Sequence, residues 1–269
     1  MQSKTFTYDG VSLADMGYIV CKFDGGGASL DGINTDSQRD WDNISVMWGK
    51  FMPWTVSTFG DRLEMEFSIM KEPCGDNSLV ITPAEMVQLK RWLSRPTAKI
   101  LRFPEEEGFE HIYYEGSFNV EEVWLNAEAR YGANLTFTCN APAGFYDYET
   151  VTGEIAANES FTINDVSDEV GWIYPTLEVT LKDAGELRLT NSFDGRTTVV
   201  KNCTAGETIT FYNTQQIMSS NGAHAIHDDF NYKFIRICNN FENNENTISS
   251  NLALSYEFTY KPIAKAVMA

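Results

Sequence analysis

The feature that most constrains this chain is a run of strict alternation. Between positions 63 and 69, Leu63, Met65, Phe67 and Ile69 fall on one side, and Glu64, Glu66 and Ser68 on the other. A period of two is the spacing of a strand with one face buried and one face wet. Such a strand needs partners at its edges and an apolar layer against its inner face. The period returns at 131–139, where Leu135, Phe137 and Cys139 oppose Asn134, Thr136 and Thr138. It returns again at 177–181 and 187–190. The chain therefore reads as mainly β.

One segment departs from that period. Thr82 is placed as an N-cap, Pro83 at the first helical position, and Glu85 where a capping-box acid reaches back to the backbone. Met86, Leu89, Trp92 and Leu93 then recur at helical spacing, and Pro96 stops the pattern. A helix this short is unstable alone in water, so it is expected to cover a sheet.

Further strands are predicted at 6–8, 18–23, 98–103, 112–114 and 117–124, separated by polar or glycine-containing turns. The Asn-Ala-Pro-Ala-Gly run at 140–144 interrupts this order. We place a domain boundary there, giving domains 1–143 and 144–269. The second half carries short strand-like runs at 177–181, 187–190, 197–201, 208–212, 234–237 and 252–258. That rhythm predicts a β-sandwich. The stretch 239–251 holds six Asn and reads as a polar loop.

Charge narrows the function. The net charge is −18, with 12 Lys+Arg against 21 Asp+Glu in 1–143 and 8 against 17 in 144–269, so each half carries −9. A diffuse negative field repels phosphate, which argues against sequence-specific nucleic-acid binding and against an anionic membrane surface. No apolar run approaches the roughly 20 residues of a membrane span. The five cysteines (21, 74, 139, 203 and 238) are odd in number and lack metal-knuckle or redox-pair spacing. Without a signal-peptide-like start, these features predict folding in a reducing cytoplasm.

Catalytic chemistry finds little to stand on. His224, His227, Asp228 and Asp229 are the best metal candidates, but they lie in a Ser/Asn/Gly stretch that fixes no common face. Glu105, Glu106 and Glu107 sit between Pro104 and Gly108 and read as a solvated hairpin tip. There is no Gly-x-Ser-x-Gly elbow. The glycines at 25–27 lack the Lys-Ser/Thr of a phosphate loop. No catalytic, metal or cofactor-binding residue is assigned, no cofactor is expected, and the chain is not read as an enzyme.

Two aromatic groups remain as contact candidates. The region 41–54, with Trp48, Phe51, Met52 and Trp54, is either a long hairpin whose apolar tip packs on another subunit or a loop folded over its own core. In the second half, Trp172 and Tyr174, with Tyr212 and Tyr232, are available to stack on sugar rings. A carbohydrate-binding sandwich is therefore the alternative to a purely structural role.

The order of motifs resembles one family. The opening run from Phe6 to Cys21, the helix with Trp92-Leu93 followed by Arg95-Pro96, and the strand Lys99 to Phe103 come in sequence. Tyr113 to Phe118 and the closing Leu135 to Cys139 follow. Then come Tyr174-Pro175-Thr176-Leu177, Gly206 to Phe211, and Tyr256 to Tyr260. This order is similar to that of the distal tail proteins of long-tailed, non-contractile bacteriophages. The resemblance implies an N-terminal β-sandwich-like ring domain with one α-helix and a C-terminal galectin-like β-sandwich. It implies a homohexameric ring at the tail end that DNA crosses in transit. The implied partners are the tail tube protein, the tail-tip hub protein and receptor-binding parts, with no membrane. It carries no catalytic residues. The Asn-rich 239–248 is a departure from the short turn expected there. Within this reading, Trp48, Phe51, Met52 and Trp54 are candidates for the ring interface. The −9 of the first half is either channel lining or ordinary solubility charge.

Overall fold

A computed structural model of the chain describes residues 4–21, 23, 39–44, 54–59, 62–73, 78–125 and 129–265, with backbone alone at 39–44, 54–59 and 125. The chain divides into two compact units: Met1–Phe145 with Ala264–Ala269, and Tyr146–Ile263. Among the described residues, no helix is long and apolar enough to cross a membrane.

In the first unit, seven antiparallel strands make the main path of a larger sheet, in the order Val11–Ser12, Thr7–Tyr8, Lys99–Arg102, Ile112–Leu125, Ala129–Cys139, Glu64–Lys71 and Tyr18–Cys21. The alternating run sits near one edge of it. Met65 pairs with Phe137 and Phe67 with Leu135, so the inward sets of two neighbouring strands coincide. The helix Pro83–Leu93 is capped as its sequence requires. The Glu85 amide donates to Thr82 Oγ1, and Thr82 N donates to Glu85 Oε2 at 2.7 Å. Met86, Leu89, Trp92 and Leu93 are buried, and Trp92 Nε1 donates to the Tyr8 carbonyl at 3.0 Å. Phe6 stacks between Trp92 and Phe118, at ring separations of 6.0 and 5.5 Å. Phe67, Phe103 and Phe137 complete this aromatic layer. The helix thus closes the apolar face of the sheet, which is where the area-dependent driving force lies.

Two segments read separately in the sequence are one strand. Residues 112–114 and 117–124 belong to the continuous Ile112–Leu125. Gly116 is not a break but a close approach: a Cβ there would lie 2.2 Å from the Thr138 carbonyl oxygen and 2.8 Å from Phe137 Cζ.

The second unit is a two-sheet sandwich. One sheet has the order Glu149–Ile155, Leu254–Tyr260, Thr176–Leu181, Thr208–Tyr212 and Ile217–Ser220. The other runs Ser160–Asn164, Glu245–Ser250, Gly185–Asn191 and Thr197–Cys203. Leu177, Val179, Phe211 and Phe258 from the first interleave with Phe161, Leu187, Leu189 and Ile248 from the second. Phe161 and Tyr256 stack across the two sheets at 3.8 Å.

The Asn-rich stretch is only partly a solvated loop: residues 240–244 are exposed and irregular, but the segments beside them are not. It contains the strand Glu245–Ser250, and Ile237–Asn239 pairs with Gly171–Ile173. Asn239 and Asn246 are buried. Asn246 donates to the Cys238 carbonyl, and its own carbonyl accepts from the Cys238 amide and from Asn191. Asn239 donates to the Ser167 carbonyl. These amides replace backbone partners that an irregular segment would otherwise leave unpaired in the interior.

Candidate functional site

The hairpin reading of region 41–54 has backbone support. Arg39–Ile44 and Trp54–Phe59 pair antiparallel, from Arg39 opposite Phe59 to Ile44 opposite Trp54. Trp48, Phe51 and Met52 lie outside the described residues, and only the backbone of Trp54 is described.

Trp172 and Tyr174 are brought together by a residue the sequence reading passed over. The Arg236 guanidinium lies 3.6 Å from the centre of the Trp172 ring and also hydrogen-bonds Tyr174. Arg236 Nε donates to Asp194 Oδ2 at 2.9 Å, and the Phe193 ring meets Trp172 edge-on at 6.2 Å. Trp172 keeps 44% exposure. A guanidinium over an indole face is a favourable cation–π contact. It occupies a surface that a sugar ring would use. Tyr232 is 64% exposed and Tyr212 is 41% exposed, each in a different element from Trp172. In the sequence, Arg236 stood within an apolar run read as a strand, so nothing local marked it.

A second polar cluster sits where the chain passes from one sheet of the sandwich to the other. Thr197–Cys203 ends the passage on one sheet and Thr208–Tyr212 begins the next. The turn between them presents Glu207, whose side chain is fully buried. Its Oε2 accepts from the Thr204 amide and hydroxyl, at 2.8 and 3.2 Å. Its Oε1 accepts from Ser220 Oγ at 2.5 Å and faces His224 Nε2 at 2.8 Å. The other imidazole nitrogen, Nδ1, faces Asp229 Oδ2 at 2.7 Å. Gly222 makes the fit possible: a Cβ there would lie 2.6 Å from the Glu207 carboxyl group. Loop 220–224 therefore wraps the carboxylate.

Of the sequence's metal candidates, only His224 and Asp229 meet. His227 and Asp228 are exposed on the short helix Ile226–Asp229. Cys203 Sγ, a Glu207 oxygen and a His224 nitrogen do lie within 4.8 Å of one another. Burial holds the Cys203 thiol up at about 11, and its sulfur hydrogen-bonds the Val200 carbonyl at 3.4 Å. Both oxygens of Glu207 already have two partners each. As arranged, Glu207 and His224 are held in a hydrogen-bonded cluster, with the Cys203 thiol beside it but bonded to backbone. Glu207 was invisible as a site residue because its partner His224 is 17 positions away and on another element.

Both clusters hold loops and sheet edges in place. The chain belongs to the phage tail proteins: residues 1–141 match a family described as the phage tail protein N-terminal domain, and 144–260 one described as the phage tail C-terminal domain. It is accordingly a component of the virion tail. Its fold is similar to the crystal structure of SPP1 Dit (gp 19.1), described as a paradigm of the hub adsorption apparatus in phages infecting Gram-positive bacteria. That similarity has a TM-score of 0.67 at 14% identity and covers 96% of this chain and 98% of the other. No curated protein matches the chain in sequence.

Proposed function

We propose that this chain is the distal tail protein of its phage: a homohexameric ring that joins the tail tube to the tail-tip hub and docks receptor-binding parts. The observation that carries the reading is the fold similarity to a hub protein along 96% of the chain, so that both units have a counterpart. The two tail-family matches on either half agree with it. A closed ring of identical subunits uses two complementary patches on each subunit. Open strand edges suit that purpose because they carry unpaired backbone groups that a neighbour can satisfy.

Native mass spectrometry with negative-stain imaging of the purified chain, over a concentration series, tests the proposal. Six-fold rings with a central hole are expected. Closed assemblies of another order would overturn it. If only monomers form, the same imaging is repeated with the tail tube protein present, and failure to assemble on that template rejects the ring.

Sugar contact at Trp172 and Tyr174 is the second reading, favoured by the exposure of Trp172. Arg236 already covers one face of that ring. A glycan array decides it: a signal in the wild type that is lost in Trp172→Ala supports the contact, and no wild-type signal removes it.

A further inference from the structure

The strand Thr197–Cys203 lies at one end of the four-stranded sheet, where its outer backbone groups need cover. The segment after His224 supplies it. Val200 bridges to Phe230. The Asn231 amide donates to the Val199 carbonyl, the Val199 amide donates to Asn231 Oδ1, and Asn231 Nδ2 donates to the Thr197 carbonyl. Residues 224–231 are thus an edge guard.

What fastens the start of this guard is one imidazole between two carboxylates. Glu207 faces it from the turn after the edge strand, and Asp229 from the guard's own short helix. From the strand Ile217–Ser220 only the uncharged Ser220 hydroxyl reaches the cluster, and from the edge strand only the Cys203 thiol and Asn202, which donates to Asp229 Oδ1 at 2.7 Å. His227 and Asp228 point away into solvent. Among the described residues, neither Glu207 nor Asp229 has a Lys or Arg ion-pair partner. The positive charge that offsets a fully buried carboxylate is therefore the proton on His224.

That geometry has a defined response. An imidazolium donates from both nitrogens and serves both carboxylates. A neutral imidazole has one N–H. If it keeps Nε2–H for the enclosed Glu207, Nδ1 presents a lone pair to Asp229. We infer that His224 is a proton-operated latch on the edge guard: protonated, it holds the 225–229 turn down, and deprotonated, it releases it and uncovers the strand Thr197–Cys203. The hydrogen bonds that His224 donates to Asp229 first, and then to Glu207, raise its pKa above the usual 6.5. The latch therefore stays closed to a higher pH than an ordinary imidazole would allow. Its stabilisation is complete below about pH 6.5, where the open state also titrates, and is lost as pH rises through the raised value. An uncovered edge is a surface for strand addition by another chain.

Hydrogen exchange on the full-length protein, with peptide resolution and correction for the chemical exchange rate, tests this between about pH 6 and pH 9. The opening constant of 222–231 and of 197–203 is expected to rise by up to about tenfold per pH unit through the His224 titration, the slope of one linked proton. Core strand 176–181 should stay protected, which separates latch release from unfolding. His224→Gln should leave 222–231 open and pH-independent. Asp229→Asn should weaken protection at low pH and flatten the pH response. Unchanged protection of 222–231 across the range in the wild type would overturn the latch. So would an undiminished pH response in His224→Gln. So would restoration of protection at high pH by added zinc, which would make the cluster a metal site.

Discussion

At the scale of single residues, the interior of the second unit shows what a polar group costs when it is enclosed. Asp165 is 1% exposed. Its Oδ1 accepts from the Ser167 amide and hydroxyl, at 3.0 and 2.6 Å, while Oδ2 has no hydrogen-bond partner among the described residues. Burial raises its pKa, and the two bonds from Ser167 only partly oppose this. Removing a carboxylate from water without a cation favours its neutral form. A raised folded-state value makes its contribution complete below the unfolded value near 3.9. That contribution is lost as pH climbs through the folded value. Asp165→Asn keeps an oxygen for Ser167 and cannot ionise. The melting temperature of the variant minus that of the wild type should therefore increase from about pH 4 to pH 7, whatever its sign at the acidic end. A shift of roughly 4 °C per kcal/mol is the scale for a domain of this size. Calorimetry across that range is the check, and a flat difference would mean that Asp165 is not held neutral.

At the scale of elements, the sequence was most readable where one period ran without interruption. The strand at 64–71 and the helix at 83–93 appear where their spacing placed them, with the helix cap formed by the named Thr82 and Glu85. It was least readable where a residue's role depends on a partner far along the chain. Gly116 looked like punctuation because glycine usually is. Its reason is the Thr138 carbonyl on the paired strand, which no local window contains. The Asn-rich stretch looked solvated because Asn is usually outside, yet Asn246 and Asn191 bond each other across 55 positions. Arg236 and Glu207 were missed in the same way, their partners being 64 and 17 positions away. The Gly116 case can be measured. Gly116→Ala introduces a methyl against backbone rather than against a side chain that can rotate away. The strand must shift, and the first unit should lose about 1–3 kcal/mol. The urea midpoint of that unit should fall, while the second unit's transition stays in place. An unshifted midpoint would mean that the strand relaxes freely at this point.

At the scale of the whole molecule, the proposed ring would need contacts that an isolated subunit can leave exposed. The paired strands Arg39–Ile44 and Trp54–Phe59 give the backbone frame of a hairpin. The sequence between them supplies Met47, Trp48, Phe51 and Met52. Four large apolar residues in nine positions are dense for a solvated tip, and aromatic anchors of this kind carry most of the energy at interfaces. If this tip is the ring contact, Trp48→Glu with Phe51→Glu places two like charges in a desolvated patch. A buried unpaired charge costs several kcal/mol, and six-fold closure repeats that cost at every interface. The double variant should therefore stay monomeric at concentrations where the wild type forms rings, with its melting temperature unchanged because the charges face water in the monomer. The loop-over-core alternative predicts the opposite pairing of results: two acids under a loop would lower the melting temperature by several degrees, and rings would still form from the fraction that folds. Native mass and a thermal melt on the same preparation separate the two, because one reading moves only the assembly and the other moves only the fold.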